Sequence, residues 1–195
     1  MAERARGIVE RQIRHMGRLL DDLVDVARLS RGRLELQRER VEVQAAIDHA
    51  LEATQSLFNE RQHQVSVAAA SEPLWIHADP MRLEQILVNL LGNAAKYTDP
   101  GGRIWIMAEK QAETALIRVK DAGIGIEAVM LPRVFDLFVQ AERRTHRSVG
   151  GIGIGLTLVR QLADLHGGTV EAFSAGPGKG SEFVVRLPLA KTDGE

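Results

Sequence analysis

The sequence has no cysteine and few aromatic residues, with one tyrosine and two tryptophans among 195 residues. The lack of cysteine excludes disulfide bonds and thiolate chemistry and agrees with a reducing compartment. No apolar run approaches the roughly 18 residues of a membrane-spanning helix, and the arginine-rich N-terminus has no signal-peptide pattern. The formal net charge of -1 gives no electrostatic reason to expect nucleic acid as a partner. We therefore expect a cytoplasmic chain that makes no contact with nucleic acid or membrane.

The first 30 residues carry an apolar stripe in which side chains recur at alternating steps of three and four. This spacing is typical of the seam of a paired helix. We predict one long helix over residues 1–32 that pairs in a helical hairpin or forms a homodimer through residues 9–30. The alternative is an amphipathic helix packed on its own domain. The seam positions are Val9, Ile13, Met16, Leu20, Leu23, Ala27 and Ser30.

Residues 33–190 are predicted to form one α+β domain, because stretches of helical and extended periodicity alternate along them. The element order predicts a two-layer α/β sandwich, in which helices cover one face of a single mixed, mostly antiparallel sheet. Residues 191–195 are predicted to be a disordered tail. We predict helices over 43–62, 79–98 with Asp79 as N-cap, and 154–168, and strands over 33–43, 63–70, 74–78, 102–110, 114–122 and in a hairpin over 168–189.

The predicted helix over 79–98 carries polar side chains on one side of a mostly apolar surface. Asn89, Asn93, Lys96 and Tyr97 are spaced at i, i+4, i+7 and i+8, so they share one side of the helix. An asparagine oxygen suits Mg²⁺, a lysine can reach a phosphate, and a tyrosine can pack on a base. Asparagines bonded to neighbouring backbone are the better interpretation of either amide alone, whereas the whole set favours a pocket wall.

Two glycine-rich segments point to the same kind of ligand. In "DAGIG", Asp121–Gly125, the carboxylate can accept a hydrogen bond from an exocyclic amine such as that of adenine, although such a sequence most often forms a turn. In "GGIGIG", Gly150–Gly155, free backbone N–H groups at the start of a helix form an anion site. Arg143, Arg144 and Arg147 precede that helix and can approach the same anion, and a solvated charge run is an equally good interpretation of them.

Two phenylalanines, Phe135 and Phe138, lie between these glycine clusters in a chain that has five phenylalanines. Three-residue spacing inside a long loop suggests a hydrophobic anchor for a mobile lid. Packing in the core is an equally good interpretation of both rings.

In order and spacing, five motifs resemble the N, G1, F, G2 and G3 boxes of the catalytic ATP-binding domain of bacterial sensor histidine kinases. The motifs are "NLLGNAAKYT", "DAGIG", "FDLF", "GGIGIGL" and "GKGSEF", and the resemblance spans roughly residues 34 to 189. That family belongs to the wider GHKL superfamily, which includes gyrase, Hsp90 and MutL. The resemblance implies a Bergerat-type pocket for ATP and Mg²⁺, and transfer of the γ-phosphate to a histidine of a helical hairpin. It also implies that a response regulator receiver domain is a partner.

The resemblance assigns roles to individual residues. It makes Asn93 the Mg²⁺ ligand, with Asn89 beside it in the same box. It implies that Lys96 contacts a phosphate and Tyr97 the nucleotide base. It makes Asp121 the acceptor of a hydrogen bond from the adenine amine. Asn89, Asn93 and Lys96 are the residues implied for catalysis. The other nucleotide-binding positions implied are Gly123, Gly125, Ile126, Phe138, Arg147, Gly151, Ile152, Gly153, Ile154, Gly155, Leu156 and Ser181.

Asn89 bears on the class of reaction. ATPases of the superfamily carry in this box a glutamate that activates water, whereas an amide accepts no proton at neutral pH. Direct hydrolysis is therefore disfavoured. The alternatives are a GHKL ATPase or a serine kinase of the anti-sigma-factor type and, outside the enzymes, an ATP-gated interaction module.

The N-terminal helix resembles the second helix of the dimerisation and phosphoacceptor hairpin. The first helix, with its phosphoacceptor box, is not found in this sequence, and His15 is followed by methionine rather than an acid. We interpret His15 as an ordinary exposed or interfacial residue. The departure argues against autophosphorylation by this chain alone. We expect the chain to be part of a longer sensor kinase, rather than a short protein that phosphorylates a histidine elsewhere.

Overall fold

The computed structural model describes residues 6, 16, 17, 20, 23–29, 34–139 and 153–190. Residues 6, 16, 17, 20 and 23–29 are helical. The later helices are α1 (Val43–Glu60), α2 (Pro80–Tyr97) and α3 (Gly155–Leu165), with a 3-10 helix at Leu131–Arg133. The strands are β1 (Glu39–Glu42), β2 (Gln64–Ala68), β3 (Trp75–Ala78), β4 (Arg103–Gln111), β5 (Thr114–Asp121), β6 (Thr169–Phe173) and β7 (Ser181–Pro188).

Five of these strands form one mixed sheet in the order β2-β4-β5-β7-β6. The pair β2 and β4 is parallel, and the other neighbours are antiparallel. The predicted mixed, mostly antiparallel sheet is therefore confirmed. The prediction of a single sheet is wrong, because β1 and β3 pair with each other in a separate two-stranded sheet. Periodicity identifies a strand, whereas its partner depends on tertiary packing.

The helices cover one face of the five-stranded sheet. Along β5, Ala115, Ile117 and Val119 point into the hydrophobic core, and the alternate residue Arg118 lies on the opposite face. There Arg118 Nη2 donates to Glu109 Oε1 at 2.9 Å. One apolar face under helices and one charged face make the two-layer α+β sandwich that the sequence predicts.

Helix α2 is the central helix of the core. Asp79 caps its N-terminus by accepting a hydrogen bond from the Arg82 backbone N–H at 3.2 Å, as predicted, and Pro80 occupies a first-turn position where no N–H is needed. Its apolar side packs at i, i+3, i+4 and i+7 spacing against α1 and α3. The buried residues of α2 are Leu83, Ile86, Leu87, Leu90, Leu91, Ala94 and Ala95.

The N-terminal helical segment, residues 23–29, packs on this domain through Val26, which is buried in the core. On the predicted seam, Met16 and Leu20 are each 61% exposed and Leu23 is 44% exposed. Val9, Ile13, Ser30 and the predicted tail 191–195 lie outside the described residues, and the boundary at residue 32 stays a prediction. Within the part of the chain that the structure describes, no helix is long and apolar enough to cross a membrane.

Candidate functional site

A pocket lies where the C-terminal half of α2, the end of β5, the start of α3 and the start of β7 meet. It contains about 620 Å³ of empty space, counting the part that is open to solvent. Its walls are mostly apolar with a few polar side chains, which is the usual composition of a small-molecule site. The lining residues are Asn93, Tyr97, Asp121, Ile124, Gly125, Ile126, Met130, Val134, Val139, Leu156, Ser181 and Phe183.

Among the described residues that line the pocket, Asp121 is the acidic one. Both of its carboxylate oxygens accept hydrogen bonds. Its Oδ1 accepts a hydrogen bond from the Gly123 backbone N–H at 2.8 Å. Its Oδ2 accepts one from the Ser181 hydroxyl at 2.5 Å. Asp121 and Ser181 are directly opposite each other in the β5–β7 register, so strand pairing itself brings the hydroxyl to the carboxylate.

The environment of Asp121 raises the pKa of its carboxyl above the ordinary value of 3.8. Burial is the largest cause, because the side chain is 4% exposed and the charged form loses hydration. The hydrogen bonds from Ser181 and Gly123 oppose this effect by stabilising the charged form. Each carboxylate oxygen has further lone-pair directions, so the ionised group can also accept from a ligand.

The two glycines of "DAGIG" are required for close backbone packing around Asp121. A Cβ atom at Gly123 would lie 2.3 Å from the Tyr97 carbonyl oxygen at the end of α2. At Gly125, φ is +69°, and a Cβ atom would lie 2.1 Å from the carbonyl oxygen of Gly176. The segment is thus fitted between α2 and the turn that joins β6 to β7, and the glycines shape the pocket wall.

The α2 wall of the pocket carries the predicted polar side chains. Asn93 and Tyr97 line the pocket, and the Asn93 side-chain amide makes no hydrogen bond to any described residue. The Lys96 ammonium lies 4.7 Å from the centre of the Tyr97 ring. One turn earlier, Asn89 Nδ2 donates to the Gln85 carbonyl at 3.0 Å. The four residues share one side of α2, as predicted, and Asn89 uses its amide N–H locally.

The N-terminus of α3 faces this side of α2. Asn89 Oδ1 lies 2.6 Å from the position that a Cβ atom would take on Gly155, the first residue of α3. The preceding Ile154 is buried and has no capping side chain. Leu156 completes the pocket wall. Backbone N–H groups at this terminus are therefore available to an anion beside Asn89.

The predicted phenylalanine pair is divided between core and solvent. Phe135 is buried and meets Phe183 edge to face, with ring centroids 6.3 Å apart. Its carbonyl accepts a hydrogen bond from the Thr157 hydroxyl of α3 at 2.8 Å. Phe138 is exposed, has φ of +63°, and donates its N–H to the Gly153 carbonyl at 3.0 Å. Phe135 thus takes the core role, and Phe138 does not line the pocket.

The structure brings seven of the predicted site residues into one pocket: Asn93, Tyr97, Asp121, Gly125, Ile126, Leu156 and Ser181. Seven others lie outside the lining but within the adjoining elements: Asn89, Lys96, Gly123, Phe138, Gly153, Ile154 and Gly155. Arg147, Gly151 and Ile152 lie outside the described residues. The ligand-binding roles of all these residues stay predictions.

Sequence reasoning missed five apolar lining residues: Ile124, Met130, Val134, Val139 and Phe183. One of them carried a signal. Phe183 follows Ser181 by two residues on β7 and therefore shares its side of the strand. Met130 and Val134 lie in a segment with a 3-10 helix and no sustained periodicity, so no pattern distinguished their role.

The donor set of the described residues restricts the kind of metal site. No group of three or more histidine, cysteine, aspartate or glutamate side chains among them is arranged to hold a metal ion. Asn93 supplies a single amide oxygen at the pocket wall. One protein oxygen with the remaining ligands from phosphates and water is a pattern that Mg²⁺ accepts.

Comparison with known proteins identifies the class of this domain. The model of the histidine kinase-, DNA gyrase B-, and HSP90-like ATPase family matches residues 78–191, which is more than half of the chain. The chain belongs to this family. The matched segment contains α2, the Asp121 loop, α3 and the last hairpin, which are the elements that build the pocket.

The curated relatives place the domain among sensor histidine kinases. The circadian input-output histidine kinase CikA of Synechococcus elongatus is 33% identical over 89% of this chain. The sensor protein DivL of Caulobacter vibrioides is 34% identical over the whole chain. The chain spans 23% of the length of CikA and 26% of the length of DivL. The chain thus belongs to the ATPase family by its matched segment and is similar to sensor proteins and histidine kinases over most of its own length.

Solved structures agree in fold. Full-length ShkA in complex with AMPPNP superposes with a TM-score of 0.82 and 28% identity, over 98% of this chain and 40% of that one. Histidine kinase ThkA in complex with the response regulator TrrA superposes with a TM-score of 0.73 and 19% identity, over 94% of this chain and 50% of that one. The predicted fold class is therefore confirmed.

Proposed function

We propose that this chain binds Mg·ATP in the pocket between α2 and α3 and presents the γ-phosphate to a histidine on a helical hairpin. The observation that carries the proposal is that Asn93, Tyr97 and Asp121 line one pocket. At one end of the pocket, the Asp121 carboxylate accepts a hydrogen bond from the adenine amine. The phosphates extend towards Lys96 and the N-terminus of α3, where positive charge and free backbone N–H groups neutralise them.

Mg²⁺ fits this arrangement. The side-chain amide of Asn93 makes no hydrogen bond within the described part of the chain, so its oxygen is available without breaking another contact. When bound, Mg²⁺ neutralises charge that develops on the phosphate oxygens. Asn93 is the residue that would hold it, and Lys96 adds a second positive charge from the same helix.

Transfer is favoured over hydrolysis by the groups around the phosphate end. Asn89 is an amide tied to the Gln85 carbonyl, and it accepts no proton from a water molecule. Asp121, the acidic residue of the described lining, lies at the other end of the pocket, where its carboxylate accepts hydrogen bonds from Gly123 and Ser181. In the proposed reaction a histidine nitrogen attacks the γ-phosphorus, the bond to the bridging oxygen breaks, and ADP leaves.

The first test is nucleotide binding by calorimetry with ADP and Mg²⁺. Asn93→Ala should abolish the Mg²⁺-dependent part of the affinity, and Asp121→Asn should weaken binding by about tenfold or more, because a charge-assisted hydrogen bond is lost. The matched controls are Asn59→Ala and Asp164→Asn, which change the same residue types at exposed positions. Unchanged affinity in both site variants would refute the proposed pocket.

The second test is phosphotransfer to a separately supplied phosphoacceptor hairpin. Labelled phosphate from γ-labelled ATP should appear on the hairpin in an acid-labile bond, as expected for phosphohistidine, and then pass to a receiver domain. Asn93→Ala should remove the label, whereas Asn59→Ala should retain it. An acid-stable label would favour a serine kinase, and steady release of phosphate without an acceptor would favour an ATPase.

We further propose that the exposed seam of the N-terminal helix pairs with a second copy of the chain, in a cytoplasmic setting where ATP is available. Met16, Leu20 and Leu23 present an apolar stripe to solvent, and such stripes usually mark an interface. Sedimentation velocity should show a dimer that Leu20→Glu dissociates. Glu39→Gln, at an exposed position on β1, is the control. A monomer with a protease-resistant N-terminal helix would contradict this pairing.

A further inference from the structure

The C-terminal end of α2 has its carbonyl groups occupied by specific partners. The last four carbonyls of an α-helix have no partner within the helix and need one elsewhere. In α2 the Thr98 backbone N–H donates to the Ala94 carbonyl at 3.1 Å. The Ile124 backbone N–H donates to the Tyr97 carbonyl, also at 3.1 Å. The two carbonyls between them, those of Ala95 and Lys96, are reached by side chains from a distant segment.

That segment is the turn between α1 and β2. Arg61 Nη1 donates to the Lys96 carbonyl at 3.1 Å and to the Ala95 carbonyl at 3.3 Å. His63 Nε2 donates to the same Ala95 carbonyl at 3.0 Å. The guanidinium is charged and the carbonyl end of a helix is negative, so the pairing is also favourable electrostatically. None of the ion pairs among the described residues involves Arg61, and the hydrogen bonds of its guanidinium go to the carbonyls of α2.

The turn holds both side chains in fixed positions relative to α2. The Arg61 carbonyl accepts a hydrogen bond from the Gly101 backbone N–H at 2.9 Å, in the turn that follows α2. The His63 ring lies edge to face with Phe58, with centroids 6.4 Å apart. His63 Nδ1 is buried and has no hydrogen-bond partner within the described residues. The donor atoms thus come from a turn that has further contacts of its own, a backbone hydrogen bond at Arg61 and a ring contact at His63.

The same end of α2 forms one wall of the nucleotide pocket. Lys96 and Tyr97 project from the peptide units whose carbonyls Arg61 and His63 hold. Through the Tyr97 carbonyl, the end of α2 also fixes Ile124, which is inside the Asp121 loop. Movement of this last turn would displace both the base-facing ring and the loop that carries the adenine-binding carboxylate.

We propose that Arg61 and His63 are positioning residues for the nucleotide site, acting through the last turn of α2. They hold Lys96 and Tyr97 at the pocket wall without touching the nucleotide. The expected consequence of this proposal, a change in nucleotide affinity, rests on the proposed function. Its structural part, control of the position of Tyr97 by Arg61, is independent of any ligand.

The chain has one tyrosine, so 3-fluorotyrosine labelling places a single ¹⁹F reporter on Tyr97. In the nucleotide-free protein, Arg61→Ala and His63→Leu should each shift and broaden this resonance. The matched control is Arg118→Ala, because Arg118 also makes side-chain hydrogen bonds, but to Glu109 on the opposite face of the sheet. That variant should leave the resonance unchanged.

The same proteins are then titrated with ADP and Mg²⁺ at a temperature where each is fully folded. Arg61→Ala should bind roughly tenfold more weakly than wild type, Arg61→Lys should recover part of the affinity, and Arg118→Ala should bind like wild type. Where Arg61→Ala does not fold, Arg61→Lys and Arg61→Gln carry the comparison, with Gln the weaker binder. A wild-type ¹⁹F signal together with wild-type affinity in folded Arg61 variants would overturn the proposal. Absence of ADP binding by the wild-type protein would instead refute the proposed function.

Discussion

Asp121 shows at the scale of one residue how burial of a carboxyl in the proposed site affects stability. Burial raises the pKa of its carboxyl, so the folded protein holds this proton to a higher pH than the unfolded chain does. The stability from this residue is therefore present below its ordinary pKa and is lost as pH rises through the raised value. In the proposed function, the ionised carboxylate oxygens of Asp121 accept hydrogen bonds from the ligand, so binding would benefit from the charge that burial disfavours.

Because the buried charge of Asp121 opposes folding but favours the proposed binding, one substitution should have opposite effects on stability and on ADP affinity. Asp121→Asn should leave the melting temperature at pH 7.5 equal to or above that of wild type, since it removes a buried charge and keeps partners for Gly123 and Ser181. The same variant should lose ADP affinity. Thermal unfolding and calorimetry on the same sample measure both effects, with Asp164→Asn as the control. A variant that is less stable and binds ADP normally would contradict the prediction.

The raised pKa also predicts a pH dependence of binding. As pH falls towards that pKa, a protonated Asp121 becomes a poorer acceptor, and ADP affinity should decrease. ADP titrates as well, so the informative quantity is the difference between the wild-type profile and that of Asp121→Asn. The two profiles should converge at acidic pH. Parallel profiles over the whole range would argue against an ionised Asp121 as the acceptor.

At the scale of elements, a buried histidine joins the two helices that form the pocket walls. His166 follows α3, where its Nδ1–H donates to the Leu162 carbonyl at 2.8 Å. Its Nε2 accepts a hydrogen bond from the backbone N–H of Asp79, the N-cap of α2, at 3.1 Å. Asp79 Oδ2 in turn accepts from the Gln37 backbone N–H at 3.0 Å. The start of α2, the end of α3 and the segment that leads into the domain therefore meet at one neutral imidazole.

This contact predicts that the domain is destabilised by mild acid. Burial lowers the pKa of His166 below its ordinary value of 6.5, with nearby Arg38 acting in the same direction and the Leu162 carbonyl and Asp79 opposing it. Its contribution to stability is present above the ordinary pKa and is lost as pH falls. The free energy of unfolding in urea should fall between about pH 7.5 and about pH 5.5, and His166→Gln should reduce that slope. His77→Gln, at an exposed histidine of β3, is the control; an unchanged slope in His166→Gln would contradict the assignment.

At the scale of the whole molecule, the N-terminal helical segment is attached to α2 by a largely buried polar cluster. Arg82 Nη1 donates to Asp25 Oδ2 at 2.5 Å and to Gln85 Oε1 at 2.7 Å. Gln85 Nε2 donates to the same Asp25 oxygen at 3.0 Å. Val26 packs into the core beside this cluster. The segment and the catalytic domain therefore share a polar contact and an apolar contact.

This attachment predicts energetic coupling between the segment and the domain. In a double-mutant cycle of Asp25→Ala and Arg82→Ala, we expect a coupling free energy of about 1 kcal/mol or more, because the two side chains are in direct contact and mostly shielded. The same cycle on the exposed pair Arg133 and Asp136, which are 3.8 Å apart, should give less than about 0.5 kcal/mol. Additive effects of Asp25→Ala and Arg82→Ala would show that the contact does not hold the segment.

The sequence alone predicted most of the fold and about half of the pocket lining. The periodicity of α2, the cap at Asp79 and the shared side of Asn93 and Tyr97 are local properties, and the structure confirms them. Strand existence was also predictable from the alternation of residues along β5. The pairing of β1 with β3 was not, because each short strand is compatible with several partners.

What the sequence determined by itself was most of the elements and the motifs, and it predicted the class of ligand, since these depend on residues close together in the chain. The tertiary structure alone decided which distant groups support the site. It placed Ser181 on Asp121 through the strand register, and it placed Arg61 and His63 on the last carbonyls of α2. Such contacts depend on how helices and strands pack, and a helical or alternating pattern carries no record of that packing. The physical reason is that periodicity reflects only the local geometry of the backbone.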